Sequence, residues 1–135
     1  MHQHPNVMIV DDDGVLRRAL QIRCETLGIY VRSHANMVEA VESAFADPPD
    51  LMILDVNTCT GNGLEACEVL ADDSRTLDIP KIIITGDADA TTRRRAMLAG
   101  AIYIRKGAHL WDRIEHSICS ALSIPLPDRV RHEAA

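Results

Sequence analysis

Five short apolar runs recur along the chain, each only three or four residues long. They lie at residues 7–10, 29–31, 51–54, 82–84 and 101–104. Pro48 and Pro49 precede the third run, and Pro80 precedes the fourth. Continuous apolar runs of this length are typical of strands buried on both faces of a parallel sheet.

Segments with helical spacing separate these runs. The pattern is clearest at Met37, Ala40, Val41, Ala44 and Phe45, which repeat at one helix face. Further helices are predicted before Gly28, after Gly63, from an N-cap at Asp89 to Gly100, and around residues 110–122. Strand and helix thus alternate five times. This order predicts a doubly wound (βα)5 fold of the α/β class, with a parallel sheet between two helical layers.

The chain length of 135 residues suits one domain, which we predict to span residues 5–122. Helical spacing fades after Leu122, so residues 123–135 are predicted to form a C-terminal tail or the start of a linker. The formal net charge of −6 argues against direct binding of nucleic acid, which needs a basic surface. A short run, Arg93 to Arg95, is the basic exception and a candidate docking patch, although a solvated helix face is the preferred interpretation.

The cysteines and the N-terminus bear on the cellular compartment. Cys24, Cys59, Cys67 and Cys119 show no spacing typical of a zinc site, and we interpret them as reduced thiols. The N-terminus has neither a signal-peptide pattern nor an apolar segment long enough to cross a membrane. A cytoplasmic protein without membrane contact is therefore expected.

Polar residues stand where four of the five predicted strands end. Three consecutive acids, residues 11–13, follow the first run, and Asp55, Thr85 and Lys106 follow the third, fourth and fifth. Open parallel sheets bind ligands at the carboxyl ends of their strands. The second run supplies no such residue, as expected of an outer strand in the order 2-1-3-4-5.

Each of these residues alone would mean little, because acids at a helix start are common. Together their chemistry is complementary. Clustered carboxylates repel one another unless a cation relieves them, and Mg²⁺ prefers carboxylate and phosphate oxygens. Lys106 and Thr85 can hold the remaining oxygens of a phosphoryl group. The set suits phosphoryl transfer to a carboxylate nucleophile.

The chain resembles the receiver domain of bacterial two-component response regulators, of the chemotaxis-regulator type. The resemblance is carried by segments in a fixed order, namely Val-Met-Ile-Val-Asp-Asp-Asp at 7–13, Pro-Asp-Leu-Met-Ile-Leu-Asp at 49–55, Gly-Leu-Glu at 63–65, Ile-Ile-Ile-Thr at 82–85, Ala-Gly-Ala at 99–101 and Tyr-Ile-Arg-Lys at 103–106. It covers roughly residues 5–122 and implies the flavodoxin-like three-layer sandwich with sheet order 2-1-3-4-5.

The resemblance also implies roles for individual residues. Asp11 and Asp12 correspond to the acid pair that holds Mg²⁺, and Asp55 corresponds to the phosphoacceptor and a further metal ligand. The backbone carbonyl of Asn57 would complete the metal site. Lys106 would be the ion-pair partner of the phosphoryl group.

Two further positions correspond to the switch of the family. Thr85 would supply a hydroxyl that turns toward the phosphoryl group, and Tyr103 an aromatic ring whose burial reports the active state. The simpler interpretation of Tyr103, a strand residue packed under a helix, is equally open. No ordinary enzyme is implied, because such a domain catalyses only its own phosphorylation and dephosphorylation.

The implied partner is a sensor histidine kinase or a phosphotransfer protein, with an unknown downstream protein or output domain. The face formed by the fourth helix, the fifth strand and the fifth helix is expected to switch and to mediate possible homodimers. Trp111, Ile118 and Leu122 share one side of the fifth helix and would suit such a face if they were exposed.

The sequence departs from the family at three loop positions. Cys59 and Gly107 stand where the family usually has proline, and Asn62 stands where it usually has aspartate. The segment from Ala101 to Lys106 is also one residue shorter than expected. These departures bear on the loop conformations, on the placement of Lys106 and on switching.

Two alternatives remain open. One is a pseudo-receiver, a binding module that keeps the fold without phosphorylation. The other is an enzyme similar to the haloacid dehalogenase superfamily, whose first motif resembles residues 11–16, with Asp11 as the nucleophile and Asp13 as the general acid. The fourth motif of that superfamily is absent after Lys106, and Asp55 would have no role in such an enzyme.

Overall fold

The computed structural model describes residues 4–86 and 89–127. The strands are β1 (Asn6–Val10), β2 (Tyr30–His34), β3 (Leu51–Asp55), β4 (Asn57–Thr58), β5 (Gly61–Asn62), β6 (Lys81–Thr85) and β7 (Ala101–Arg105). The helices are α1 (Gly14–Thr26), α2 (Met37–Ala46), α3 (Gly63–Ala71), α4 (Ala90–Leu98) and α5 (Leu110–Leu122).

Five of the strands form one parallel sheet in the order β2-β1-β3-β6-β7. Counted along the chain without the short strands β4 and β5, this is the predicted order 2-1-3-4-5. The predicted α/β fold with a flavodoxin-like sheet is therefore confirmed. The short strands β4 and β5 form a separate antiparallel hairpin directly after β3, which the apolar pattern does not predict.

Two apolar clusters cover the two faces of the sheet. One joins the sheet to α2, α3 and α4, and the other joins it to α1 and α5. All residues of β1, β3 and β6 are buried, as predicted. The edge strands differ from the prediction, since Tyr30 in β2 is 67% exposed and Ile102 in β7 is 40% exposed. An edge strand has a neighbour on one side only, so the helical layers cover it less completely.

The side chain of the residue before each of the first four helices caps that helix. Asp13 accepts hydrogen bonds from the N–H groups of Val15 and Leu16, and Asp89 accepts one from Thr91, as predicted for α4. Asn36 and Asn62 cap α2 and α3 in the same way, so α3 begins at Gly63. The capping residues therefore fix where each helix begins beside the carboxyl ends of the strands.

The apolar side of α5 does not meet the condition of exposure. Ile118 is fully buried, and Trp111 and Leu122 are half-buried against the α1–α5 cluster. The exposed apolar side chains beside β7 come instead from the end of α4, where Met97 is 69% and Leu98 is 82% exposed. Among the residues that the structure describes, none of the helices has the length and apolar character needed to cross a membrane.

Candidate functional site

Polar residues from four strands converge at the carboxyl edge of the sheet. Asp11 follows β1, Asp55 ends β3, Thr85 ends β6, and Lys106 follows β7. Because the four strands are adjacent and parallel, their carboxyl ends meet at this edge. One carboxylate oxygen each from Asp11, Asp12 and Asp55 lies within 4.8 Å of the other two.

Asp11 is the most deeply buried of these acids, with none of its surface exposed. Its Oδ1 accepts a hydrogen bond of 2.9 Å from the backbone N–H of Asp13. Its Oδ2 is buried and has no hydrogen-bond partner. A buried carboxylate oxygen without a hydrogen bond is costly, and the ion pair with Lys106 Nζ at 3.5 Å offsets part of that cost.

Lys106 supplies the positive charge nearest to these acids. Its Nζ lies 3.3 Å from Asp55 Oδ2 and 3.5 Å from Asp11 Oδ2. Burial alone would lower the pKa of Lys106, but the charges of Asp11 and Asp55 more than offset it and raise the pKa. The backbone N–H of Lys106 also donates to the carbonyl of Thr85 at 2.7 Å. The lysine therefore faces the acids even though Gly107 follows it.

Asp55 lies between Lys106 and the start of the next loop. Its Oδ1 accepts a hydrogen bond of 3.3 Å from the backbone N–H of Asn57. Burial and the negative charge of Asp11 raise the pKa of Asp55, and Lys106 only partly opposes this. The Asp55 carboxylate is thus held in place but is electrostatically destabilised without a further cation.

Asp12 lies at the exposed side of the cluster and contacts the β4–β5 hairpin. Its Oδ2 accepts a hydrogen bond of 2.9 Å from the backbone N–H of Cys59, which is the main reason why the pKa of Asp12 is lowered. The Cys59 thiol bonds to the same carboxylate, and this contact raises the pKa of the thiol. Cys59 is exposed, so the thiol stands at the entrance of the site.

This donor set fits a divalent cation. Three carboxylates face one lysine, which leaves an excess of negative charge, and buried Asp11 Oδ2 has the Lys106 ion pair at 3.5 Å but no hydrogen bond. Mg²⁺ prefers a few carboxylate oxygens together with water and phosphate oxygens. Asn57 lies directly beyond Asp55 in the chain, and the role of its carbonyl stays a prediction.

Of the two predicted switch residues, Thr85 lies next to the carboxylate cluster and Tyr103 lies farther from it. Thr85 is fully buried and pairs in register with Arg105. Tyr103 is half-buried, packs against the cluster that includes α4, and lines a groove of about 420 Å³. Arg93, Arg105 and Arg113 line the same groove. Tyr103 therefore borders both the core and open space.

The sequence does not predict the part of the site formed by the β4–β5 hairpin. The contact between Cys59 and Asp12 joins residues 47 positions apart, so local pattern gives no sign of it. Gly63 makes a second contact of this kind, because a Cβ at this position would collide with the backbone carbonyl oxygen of Asp55. The glycine lets the first turn of α3 pack directly on the backbone of Asp55, the candidate phosphoacceptor.

The dehalogenase-like alternative fits this geometry poorly. Asp13, its candidate general acid, is exposed, and its carboxylate caps α1 through Val15 and Leu16. Asp55, which would have no role in such an enzyme, is instead buried beside Lys106.

Comparison with known proteins agrees with the fold. A family model for the response regulator receiver domain matches residues 7–112. Two solved structures are similar over most of this chain. The non-phosphorylated receiver domain of HemR from Leptospira biflexa is 27% identical, with a TM-score of 0.79, over 91% of this chain and 98% of that one. A putative response regulator from Chloroflexus aurantiacus is 24% identical, with a TM-score of 0.80, over 90% of this chain and 99% of that one.

Curated relatives match over a smaller share of their own length. The transcriptional regulatory protein CseB of Streptomyces coelicolor is 33% identical over 118 residues, which cover 84% of this chain and 49% of that protein. The C4-dicarboxylate transport transcriptional regulatory protein DctD of Rhizobium meliloti is 34% identical over 102 residues, which cover 75% of this chain and 22% of that protein. The chain thus spans half or less of the length of these relatives. On the family match and the shared fold, it belongs to the response regulator receiver domains, the signalling modules of two-component systems.

Proposed function

We propose that this receiver domain accepts a phosphoryl group on Asp55 in a Mg²⁺-dependent reaction. The observation that carries the proposal is the cluster of buried Asp11 and Asp55 with exposed Asp12, in which Lys106 forms ion pairs with the two buried carboxylates. The phosphoryl donor would be a sensor histidine kinase or a phosphotransfer protein in the cytoplasm, as the family membership implies.

The transfer follows from the chemistry of the residues at the site. An Asp55 carboxylate oxygen attacks phosphorus, a P–O bond forms, and the P–N bond to the donor's histidine breaks. The imidazole nitrogen keeps the electron pair of that bond and takes a proton from solvent. Lys106 Nζ, 3.3 Å from Asp55 Oδ2, is placed to balance the negative charge that arrives with the phosphoryl oxygens.

Asp11, Asp12, Asp55 and the carbonyl of Asn57 would hold the metal. Mg²⁺, when bound, offsets the charge of the acids and draws electron density from the phosphoryl oxygens. Burial of Asp11 and the backbone bond from Asp13 fix the inner ligand, while the bond from Cys59 orients Asp12 at the exposed side. These contacts place the ligands before the metal arrives, which reduces the cost of ordering them.

Phosphorylation is proposed to act on the face formed by α4, β7 and α5. Thr85 lies at the end of β6, and the Lys106 N–H donates to its carbonyl, so movement at Thr85 reaches the loop after β7 directly. Tyr103 borders a groove next to α4 that gives its ring room to change position. Met97 and Leu98 supply exposed apolar surface on α4 for a partner, an output domain or a second copy.

Mass spectrometry of the intact protein tests the acceptor. After incubation with acetyl phosphate and Mg²⁺, the wild type is expected to gain one phosphoryl group, and Asp55→Asn none. Asp13→Asn is the matched control. Asparagine can still cap α1, and Asp13 is not one of the proposed metal ligands, so this variant should be labelled like the wild type. Equal labelling of wild type and Asp55→Asn would remove the proposal. Labelling that is lost in Asp11→Asn but kept in Asp55→Asn would point to the dehalogenase-like alternative.

A second experiment tests the switch. Beryllium fluoride with Mg²⁺ should shift amide NMR signals from Asp55 as far as Tyr103 and α5, and Thr85→Ala should confine the shifts to the metal site. Thr85→Ser keeps the hydroxyl and serves as the control. If the wild-type shifts stay around Asp55, the domain binds the ligand without signalling, as the pseudo-receiver alternative expects.

A further inference from the structure

Arg17 is a basic residue beside the acidic cluster that has no part in the proposed phosphoryl transfer. It belongs to α1, and its side chain is half-buried. In the described part of the chain it forms no ion pair with a carboxylate. Its Nη1 instead donates a hydrogen bond of 2.7 Å to the backbone carbonyl of Asp11. A charged donor makes such a bond strong, and its acceptor here is the main chain of a proposed metal ligand.

The Asp11 carbonyl lies just past the end of the sheet. The pairing of β1 with β2 and β3 ends at Val10, although the Asp11 N–H still donates to the carbonyl of His34 at 3.2 Å. Among the described residues, the Arg17 side chain is the donor to the Asp11 carbonyl. Without that side chain, no hydrogen bond from a described residue would hold this carbonyl in place.

Arg17 therefore holds the chain on both sides of Asp12. The Asp11 carbonyl and the Asp12 N–H belong to one planar peptide group, so a bond that fixes the carbonyl also fixes the direction in which the chain enters Asp12. On the other side, the Arg17 backbone N–H donates to the carbonyl of Asp13 at 2.9 Å. The two bonds together set the direction of the Asp12 side chain relative to that of Asp11.

We propose that Arg17 is a positioning residue of the metal site, which orients the Asp11 and Asp12 carboxylates through the peptide group that joins them. The inference rests on the proposed function for the metal and for its ligands. Mg²⁺ demands nearly ideal octahedral geometry, whereas Ca²⁺ accepts variable geometry. Loss of the Arg17 bond should therefore weaken the binding of Mg²⁺ more than the binding of Ca²⁺. Charge alone acts in the opposite direction, because removing a cation near three carboxylates should strengthen the binding of both ions.

Calorimetric titration of the metal-free chain with MgCl₂ and, separately, with CaCl₂ tests this. Arg17→Met keeps the aliphatic stem and the helix propensity but removes the donors. Its Kd for Mg²⁺ should rise roughly tenfold, as is usual when a residue that holds a metal ligand is lost, and its Kd for Ca²⁺ should rise by less than about threefold. Arg17→Lys, whose ammonium group can still donate, should restore most of the Mg²⁺ affinity.

Arg18→Met is the matched control. Arg18 is the next residue of α1, is exposed, and forms no hydrogen bond or ion pair with another described residue. The substitution removes the same charge without removing a contact to the acidic cluster. The Kd of this variant for Mg²⁺ should therefore not rise.

The outcomes separate this inference from the proposed function. A Kd for Mg²⁺ that is unchanged or lower in Arg17→Met would overturn the inference, because charge alone would then describe the effect of Arg17. Equal weakening of Mg²⁺ and Ca²⁺ binding would indicate a general loss of structure and would overturn it as well. In both cases the proposed function stands if acetyl phosphate still labels Asp55 in the wild type. Selective loss of Mg²⁺ affinity in Arg17→Met, with a wild type that is not labelled, would support the positioning role while removing the phosphoacceptor proposal.

Discussion

Neutralising Asp55 should stabilise the metal-free domain. Asp55 is buried beside Asp11, and among the described residues Lys106 is the cation that pairs with both. Burial and the charge of Asp11 raise the pKa of Asp55, which means that the ionised form is less stable in the folded protein than in the unfolded chain. Replacing Asp55 by asparagine keeps the shape of the side chain and removes this unfavourable charge.

The magnitude follows from opposing electrostatic contributions. At an effective dielectric constant near 20, the Lys106 Nζ that lies 3.3 Å from Asp55 Oδ2 contributes an attraction of about 5 kcal/mol. Repulsion from Asp11 across at most 4.8 Å contributes at least about 3 kcal/mol, and desolvation of the carboxylate adds several kcal/mol more. In the variant, Lys106 keeps its pair with Asp11. We therefore expect Asp55→Asn to raise the free energy of unfolding by about 1–2 kcal/mol at pH 7.

Thermal and urea unfolding in the presence of a chelator measure this difference. For a domain of this size the expected gain corresponds to a rise in Tm of roughly 3–8 °C. The raised pKa also sets a pH dependence. As the pH falls through the raised pKa of Asp55 toward its ordinary value of 3.8, the wild type takes up the proton and the advantage of the variant disappears.

A surface variant serves as the control, and one outcome would refute the reasoning. Glu25→Gln on the exposed side of α1 should change stability by less than about 0.5 kcal/mol. If Asp55→Asn is neutral or destabilising at pH 7 without metal, the pair with Lys106 outweighs repulsion and desolvation, and the reasoning is refuted.

Three further changes test the metal site, the packing on Asp55 and the cap of α1. Mg²⁺ at a hundredfold excess over its Kd should raise the free energy of unfolding of the wild type by about 2.7 kcal/mol. Asp12→Ala should lose most of this gain, and an unchanged gain in the variant would place the metal elsewhere. Gly63→Ala should cost about 1–3 kcal/mol in urea unfolding and reduce labelling by acetyl phosphate, because its Cβ overlaps the Asp55 backbone. Gly86→Ala is its control, since a Cβ there meets open space, and equal effects of the two would argue against the overlap. Asp13→Ala should lower the free energy of unfolding by about 1 kcal/mol through loss of the α1 cap, whereas Asp13→Asn should not lower it. Calorimetry distinguishes the two variants, and an unchanged stability of Asp13→Ala would show that the cap contributes nothing.

The apolar runs predict the parallel sheet, because it depends on short-range pattern and on chirality. The strand order comes from the resemblance to receiver domains and fits the lack of a polar residue after the second run. Runs of three or four aliphatic residues suit strands covered on both faces, and right-handed crossovers leave few ways to order five parallel strands. The same pattern cannot reveal how completely each strand is covered. Tyr30 and Ile102 lie in apolar runs yet are exposed, since their strands lie at the edges of the sheet.

Polar residues at strand ends predict the candidate site for a similar reason. The position of Asp11, Asp55, Thr85 and Lys106 along the chain brings them to one edge once the sheet is parallel. The chain order does not give the distances, the missing donor at Asp11 Oδ2 or the shared contacts of Lys106, which arise when the strands come into register. The roles of Thr85, Tyr103 and the Asn57 carbonyl stay predictions.

The sequence by itself determined the α/β class, the strand order, the four polar strand ends and the resemblance to receiver domains, because these depend on residue type and local spacing. Only the tertiary structure decided that Cys59 bonds to Asp12, that Gly63 packs on the Asp55 carbonyl and that α4 rather than α5 exposes apolar surface. Each of these depends on contacts between residues far apart in the chain or on how the helices pack on the sheet. Local pattern carries no information about such contacts until the chain has folded.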